Sequence, residues 1–353
     1  MTNENSVFDV TIVGAGPVGL FATFYSGMRQ MKIHLMDSLP QVGGQLMALY
    51  PEKYIYDMPG FPRVLAKDLV DQMWEQAQLG KPKLSLNTKI TKIEQVEKDG
   101  GKAFRITTVE EDGSPGEHWS KTVILALGIG AFTPRKMETP GLAEREGKNV
   151  HYVLKPLDFY SNKEVLVIGG GDSAMDWTLA MAAPDDNGKV RCKATTLIHR
   201  GAKFTAHEAS VEQVHSTGAK VHMQHELVKL EDAPGGRLLA TLVNNQTKEQ
   251  NAITVDDVII CTGYVAKLDF VKESGLAMQG TSVIVDTTMQ TNVPGIFAVG
   301  DVCTHPAKLK LIATGVGEAA IAANFAKVFI DPKAKAFPGH STTKLDPNAG
   351  KTE

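Results

Sequence analysis

Two short glycine-rich turns limit what this chain can fold into. Gly14-Ala15-Gly16-Pro17-Val18-Gly19 follows a compact apolar run, Phe8–Val13, and leads into a helical stretch, Val18–Gln30. Gly169-Gly170-Gly171-Asp172-Ser173-Ala174 sits in the same way between Glu164–Ile168 and Ser173–Ala182. Strand, glycine turn and helix together open a dinucleotide-binding βαβ unit. The first glycine permits the tight turn, the second lets backbone approach a pyrophosphate, and the third position, glycine or alanine, lets helix and strand pack closely. The helix N-terminus adds N–H groups and a favourable dipole for the phosphates. Gly14, Gly16 and Pro17 are therefore candidate contacts of one dinucleotide, and Gly171, Asp172 and Ser173 of another.

The residue closing the second strand of each unit separates the two sites. Asp37 ends Lys32–Met36 at the spacing of an acid that bonds ribose hydroxyls. In the second unit, Thr195–Ile198 runs into His199-Arg200, with Lys203 close behind and no acid in that place. Arg and Lys can pair with a 2′-phosphate that a carboxylate would repel. The expectation is NADPH rather than NADH on the second turn and a resident FAD on the first. A flavin can take a hydride and release electrons one or two at a time.

Short β-rich runs alternate with helical ones, which predicts α/β architecture with parallel sheets and helices on both faces. The helix Ala66–Leu79 carries Leu69, Val70, Met73, Trp74 and Ala77 near helical spacing. Lys89–Val109, turning at Gly100-Gly101, reads as a β-meander, and Thr122–Leu127 returns to the sheet. A further meander is expected within Lys220–Val243, followed by the strand Asp257–Cys261. Each unit ends in a strand followed by glycine, Ile124–Gly128 and Ile259–Gly263. Ser282–Asp301 and a helix over Ile312–Val328 follow. The layout predicted is two Rossmann-like three-layer domains, the second inserted into the first: 1–129 with 265–353 for FAD, and 130–264 for NADP(H).

Composition excludes several classes of function. At 353 residues the chain is long enough for two cores. A net charge of −3 gives no global field for nucleic acid or a membrane surface. The first residues are polar, unlike a signal peptide. No apolar run approaches the roughly 20 residues of a spanning helix. Cys192, Cys261 and Cys303 are far apart, with no CxxC, which argues against a disulfide framework or a zinc site and suits a reducing cytoplasm.

Beyond these fingerprints, the chain resembles the ferredoxin/flavodoxin–NADP⁺ reductases of the thioredoxin-reductase-like type over nearly its whole length. The resemblance is carried by Gly43-Gly44-Gln45 leading to Leu49-Tyr50-Pro51-Glu52-Lys53, and by Asp57-Met58-Pro59-Gly60. It continues in Gly130-Ala131-Phe132 with Pro134-Arg135, Gly169–Trp177, and Phe204 with Ala206-His207-Glu208. Pro294–Asp301, Leu309–Glu318 and His340-Ser341-Thr342 complete it. It implies that Asp301 bonds the ribityl or phosphate linkage of FAD, that Gln45 lies in the loop wrapping the isoalloxazine, and that Tyr50 stacks on one ring face. Ile90 would line the adenine pocket and Phe132 would sit at the first crossing between domains. The helix begun by Ala313-Thr314-Gly315 would face the flavin with its N-terminus. His340, with Ser341 and Thr342, would cover the other flavin face from the partner subunit of a homodimer. Relatives carry more arginines where this chain has Gly201 and Thr205.

A thioredoxin reductase needs a redox-active CxxC shortly before the second glycine turn, and Lys155–Lys163 contains no cysteine. Without vicinal thiols, electrons must leave directly from the flavin. The partner implied is an acidic ferredoxin or flavodoxin docking on a basic rim, with Lys308 and Lys310 as candidates. No general acid or base and no metal are expected, because hydride transfer needs alignment above all. A redox-sensing module that binds both nucleotides and a diaphorase using small acceptors remain open at this level.

Overall fold

The computed structural model describes residues 6–51, 53–98, 100–152, 155–184, 188–267, 269–337 and 339–340. The side chains of 131–134, 264–267 and 269 lie outside that description. The chain divides into two compact units, Met1–Ala131 with Ala266–Glu353, and Phe132–Val265 between them. Both crossings fall in a two-stranded ribbon formed by Ala131–Pro134 and Tyr264–Lys267.

The first unit begins with β1 (Phe8–Val13), α1 (Pro17–Met28) and β2 (Ile33–Met36), followed by the short helix α2 (Gln45–Leu49) and by α3 (Ala66–Gln78). Next come β3 (Lys83–Ser85) and the meander β4 (Lys89–Lys98), β5 (Gly101–Val109) and β6 (Pro115–Leu125). The order β3-β2-β1-β6 is parallel throughout. The C-terminal strand Ile296–Ala298 adds to β6 in parallel, with Ile296 beside Val123 and Ala298 beside Leu125. β6 starts earlier than its apolar end suggests, because its polar N-terminal half pairs antiparallel with β5, Thr107 opposite Glu117 and Phe104 opposite Ser120. Val10, Ile12, Leu35, Ile124 and Leu125 are buried, as strands covered on both faces require. The helix Ile312–Ile330 turns a small-residue face inward, with Gly315, Ala319, Ala322, Ala323 and Ala326 buried. That face lets it lie close on α1: a Cβ on Gly315 would come 2.5 Å from Val18 Cγ2.

The second unit repeats the opening with β7 (Glu164–Gly169), α4 (Asp172–Ala182) and β8 (Ala194–His199), then adds α5 (Glu208–Ser216) and β9 (Lys220–Met223). With β10 (Asp257–Cys261) and the short strand Val150–His151 it forms a parallel five-stranded sheet. Strand alternation sends side chains to two separate cores. Val165, Val167, Leu197 and Ile259 pack with Met175 and Met181 of α4 and Val214 of α5. Leu166, Ile168, Ile198, Val258 and Ile260 pack instead with Leu227, Leu230, Leu238, Ala240 and Leu242. These last residues belong to an antiparallel meander of His225–Ala233, Arg237–Asn244 and Gln250–Val255. One face of this sheet is thus covered by strands rather than by the helices expected, because the meander's inward residues are themselves apolar. The whole remains three layers.

One buried group in the first unit makes folding depend on pH. His34 of β2 is fully buried, with Nε2 2.8 Å from Ser85 Oγ and no partner for Nδ1 among the described residues. Its ring lies against those of Phe8 and His118, at 4.7 and 5.0 Å between centroids. Burial, reinforced by His118 and Lys83, lowers its pKa to about 3. The unfolded chain binds a proton here near pH 6.5 and the folded chain does not, so stability is lost as pH falls from about 6.5 toward 3. The expected slope is about 1.4 kcal/mol per pH unit. His34→Gln should flatten the urea midpoint against pH relative to the parent; identical slopes would show that His34 is not the group responsible.

Candidate functional site

The first glycine turn lies where β1 ends. Gly14, at φ +107°, donates its N–H to the Met36 carbonyl, and a Cβ on it would come 2.3 Å from the Ala126 carbonyl. A Cβ on Gly19 would fall 1.8 Å from the Gly14 carbonyl, so α1 is pressed directly onto the turn. Gly16 differs. Nothing approaches its Cβ position closer than Gly44 Cα at 3.9 Å, and its φ of −71° suits any residue. Pro17 follows at the first helical position, and no side chain caps the helix. The open cradle over Gly16 and the uncapped helix start match a diphosphate in shape and in charge.

Asp37 is buried where β2 ends. Its Oδ2 accepts the Ala15 N–H at 2.6 Å and its Oδ1 the Leu39 N–H at 2.8 Å. Burial pushes its carboxyl above the ordinary aspartate range, against the pull of those N–H groups. Each oxygen keeps a lone pair, so the carboxylate braces the glycine turn and can still accept from a ribose hydroxyl. Gly43 N–H is bonded to the Ala15 carbonyl at 2.7 Å, which brings Gly44 beside Gly16 and starts α2 at Gln45. The Gln45 amide nitrogen lies 3.2 Å from where a Gly128 Cβ would stand. Tyr50 closes α2, half-buried against the core with Lys53 Nζ 5.8 Å from its ring centre. Ile90 is buried in β4, which begins just beyond the bond from Thr88 N–H to the Asp37 carbonyl.

Asp301 stands half-buried in a 3₁₀ turn, Gly300–Val302, directly after Ile296–Ala298. That turn rests on Val18 of α1, whose Cγ2 would be 3.3 Å from a Gly300 Cβ. Gly16, Asp37 and Asp301 therefore gather at the carboxyl ends of parallel strands, where open α/β sheets bind ligands. The segment after Asp301 is clamped by Glu318, a residue the sequence did not single out. Its carboxylate accepts Gly300 N–H at 2.7 Å, His305 Nε2 at 3.0 Å and Lys308 Nζ at 2.7 Å on both oxygens. Lys308 is 7% exposed, consumed in this buried pair rather than offered on a rim, while Lys310 is exposed. The expectation of Lys308 as a docking cation is thereby corrected. His340 is exposed, with its ring edge-on to Phe337 at 5.5 Å. Ser341, Thr342 and the Phe132 side chain lie outside the described residues.

The second turn repeats the design. Gly171 caps α4 with φ −97°, no side chain caps the helix, and nothing comes nearer its Cβ position than Thr205 Oγ1 at 3.7 Å. A Cβ on Gly169 would meet that of Ala174 at 3.0 Å, so alanine does the packing here that Gly19 does in the first unit. Asp172 accepts the His207 N–H at 2.9 Å, and Ser173 is half-buried in the first helical turn. Thr205 bonds the Gly170 carbonyl through both its N–H (2.8 Å) and its hydroxyl (3.1 Å). His199 closes β8 and donates from Nε2 to the Lys203 carbonyl at 3.0 Å. Arg200 and Lys203 are exposed, and no ion pair engages either side chain among the described residues. Both sites thus fit a dinucleotide, the second with unpaired cations beyond its cradle.

The thiols have no redox geometry. Cys192, Cys261 and Cys303 are each alone. Burial pushes Cys192 up to about 11, and Cys261 and Cys303 up to about 12. All three stay protonated at neutral pH and are poor nucleophiles. Among the described residues no helix is long and apolar enough to cross a membrane.

Comparison with known proteins agrees with this geometry. A family profile described as pyridine nucleotide-disulphide oxidoreductase matches residues 8–323. The chain is 44% identical over 343 residues to ferredoxin–NADP reductase 2 of Shouchella clausii (strain KSM-K16), covering 97% of this chain and 99% of that one. It is 45% identical over 347 residues to ferredoxin–NADP reductase 2 of Chloroherpeton thalassium (strain ATCC 35110 / GB-78), covering 97% of each. Among solved structures, Lactococcus lactis thioredoxin reductase in its FR conformation superposes with a TM-score of 0.70 at 28% identity, covering 92% of this chain and 99% of that one. The chain belongs to the pyridine nucleotide-disulphide oxidoreductase family, on the thioredoxin-reductase-like branch that holds the ferredoxin–NADP reductases.

Proposed function

We propose that this chain is a ferredoxin–NADP⁺ reductase, moving hydride between NADPH and FAD and single electrons between FAD and ferredoxin or flavodoxin. The observation that carries the reading is the pair of cradles. In each turn the helix sits too close to the strand for a larger side chain, yet the glycine facing outward, Gly16 or Gly171, has open space before it. FAD, when bound, supplies a hydride acceptor that can hand on electrons singly. The solitary, protonated thiols support release from the flavin to an external carrier rather than through a disulfide relay.

In this reading the first unit holds FAD and the second NADP(H). Gly14, Gly16 and Pro17 would seat the FAD diphosphate, and Asp37 would accept from ribose while bracing Ala15. Asp301 would bond the linkage between ring and diphosphate. Gln45 and Tyr50 would border the isoalloxazine, Ile90 the adenine, and Phe132 the crossing between units. Gly171, Asp172 and Ser173 would seat the second diphosphate, with Arg200 and Lys203 pairing a 2′-phosphate beyond it and His199 beside them. His340 and Thr342 would complete the flavin site from the partner subunit of a homodimer working in the cytoplasm. None of these side chains needs to act as acid or base; their task is to align.

The open cradles permit a separation of defects. Gly16→Ala should leave the far-UV circular dichroism of the protein intact while its visible flavin absorbance is lost. Gly171→Ala should keep the flavin but raise KM for NADPH and NADH alike. Retained flavin in Gly16→Ala with unchanged affinity would defeat the assignment of the first turn. Arg200→Ala should raise KM for NADPH by roughly tenfold or more, the value of one charge-assisted hydrogen bond, with little change for NADH. Equal effects on the two nucleotides would remove Arg200 from the phosphate site.

A further inference from the structure

The ring of His199 occupies a slot between two glycines. A Cβ on Gly170, in the glycine turn, would lie 2.2 Å from both Cε1 and Nδ1 of that ring, and no other neighbour comes so close. Near the ring's other nitrogen, a Cβ on Gly201 would lie 2.8 Å from Nε2 and 3.4 Å from Cδ2. The ring also leans on Phe204 at 5.3 Å between centroids. Its Nε2 faces the Lys203 carbonyl, which can only accept, so the proton sits on Nε2. His199 thereby bridges the diphosphate cradle and the basic turn and draws the chain from 199 to 203 into a closed loop. Other bonds hold the same loop: Gln224 N–H to the Gly201 carbonyl (3.2 Å) and Asn245 Nδ2 to the Arg200 carbonyl (3.1 Å). The backbone is thus tied down while the Arg200 and Lys203 side chains are exposed, with no ion pair among the described residues.

We infer that His199 is a positioning residue that sets nucleotide selectivity without contacting the nucleotide phosphate. It acts as a spacer fixing how far the Arg200 and Lys203 cations stand from the cradle at Gly171. The ligand class it selects is an adenosine 5′-phosphate or 5′-diphosphate that also bears a phosphate monoester on the ribose 2′ oxygen. The inference rests on the reading of Arg200 and Lys203 as 2′-phosphate contacts. The Nε2 proton is taken by a backbone carbonyl, and in that tautomer Nδ1, packed against Gly170, is an acceptor with no proton to give a phosphate. Glycine at both positions is what a spacer needs, because a Cβ on Gly170 or on Gly201 would push against the ring.

The test is calorimetric titration of the flavin-loaded protein with 2′,5′-ADP and, separately, with its isomer ADP, which carries the second phosphate on the 5′-phosphate instead of on the 2′ oxygen. His199→Ala should weaken 2′,5′-ADP binding by about tenfold, and ADP binding by less than about twofold. His199→Gln, whose amide can donate to the same carbonyl, should recover most of the loss. Gly170→Ala should weaken 2′,5′-ADP binding while His199 is present and add nothing in the His199→Ala background, since the clash it makes is with that ring. A His199→Ala protein that loses both ligands equally, or keeps its 2′,5′-ADP affinity while Arg200→Ala loses it, would overturn the spacer role alone. A parent protein that binds both ligands equally, with Arg200→Ala silent, would overturn the phosphate reading and the spacer with it.

Discussion

Both nucleotide turns depend on backbone meeting backbone at a distance no ordinary side chain would allow. At the first, helix α1 touches the Gly14 carbonyl at the point where Gly19 has no side chain. This contact aims the helix N-terminus across the end of β1 instead of letting it stand off the sheet. The uncapped start of the helix is then held at the carboxyl edge of parallel strands, and the next glycine is left open. Close packing at one residue thus creates the vacancy three residues earlier. The second turn reaches the same geometry with Ala174 in the packing position, because its helix stands slightly farther from Gly169.

The polar groups around the first turn are arranged to keep that geometry. A buried carboxylate at Asp37 is costly unless it is bonded, and it recovers the cost by bracing Ala15 and Leu39. Glu318 acts similarly at the other border, tying Gly300, His305 and Lys308 together within a small-residue helix face. A buried ion pair of this kind is weak evidence for stability. Its effect here is geometric: it sets the path of the chain between Asp301 and the start of the long helix.

What was legible in the sequence followed from local rules. Strand, glycine and helix in register locate both turns, and the strands Phe8–Val13, Ala194–His199 and Asp257–Cys261 fall where apolar runs put them. Less legible was anything decided by a distant partner. β6 extends back to Pro115 because β5 pairs with it, not because its own residues are apolar. The helix Glu208–Ser216 has a single buried residue, Val214, and so little periodic signal. The strand Gln250–Val255 was missed because its polar first half pairs at the meander edge. Lys308 looks like any surface lysine until Glu318, ten residues on and a lone acid in an alanine-rich helix, is seen to hold it. Thr205 is visible in sequence only as a departure from the relatives' arginines, with no sign that it bolts the basic loop to Gly170.

The departure at Thr205 shows how the same architecture can meet one requirement in different ways. Where a residue's side chain reaches out to a ligand, its backbone must be held by something else. Where it bonds back to the backbone, as the exposed Thr205 does to Gly170, it becomes an anchor and is not left to reach. Arg200 and Lys203 are exposed on this loop, and its backbone is restrained through Gly170, Gln224 and Asn245. Two cations on a rigid loop lose less freedom on meeting a phosphate than several on a mobile one. In the proposed reading, selectivity for a phosphorylated ribose would depend on how firmly the loop is held as well as on how many charges it carries.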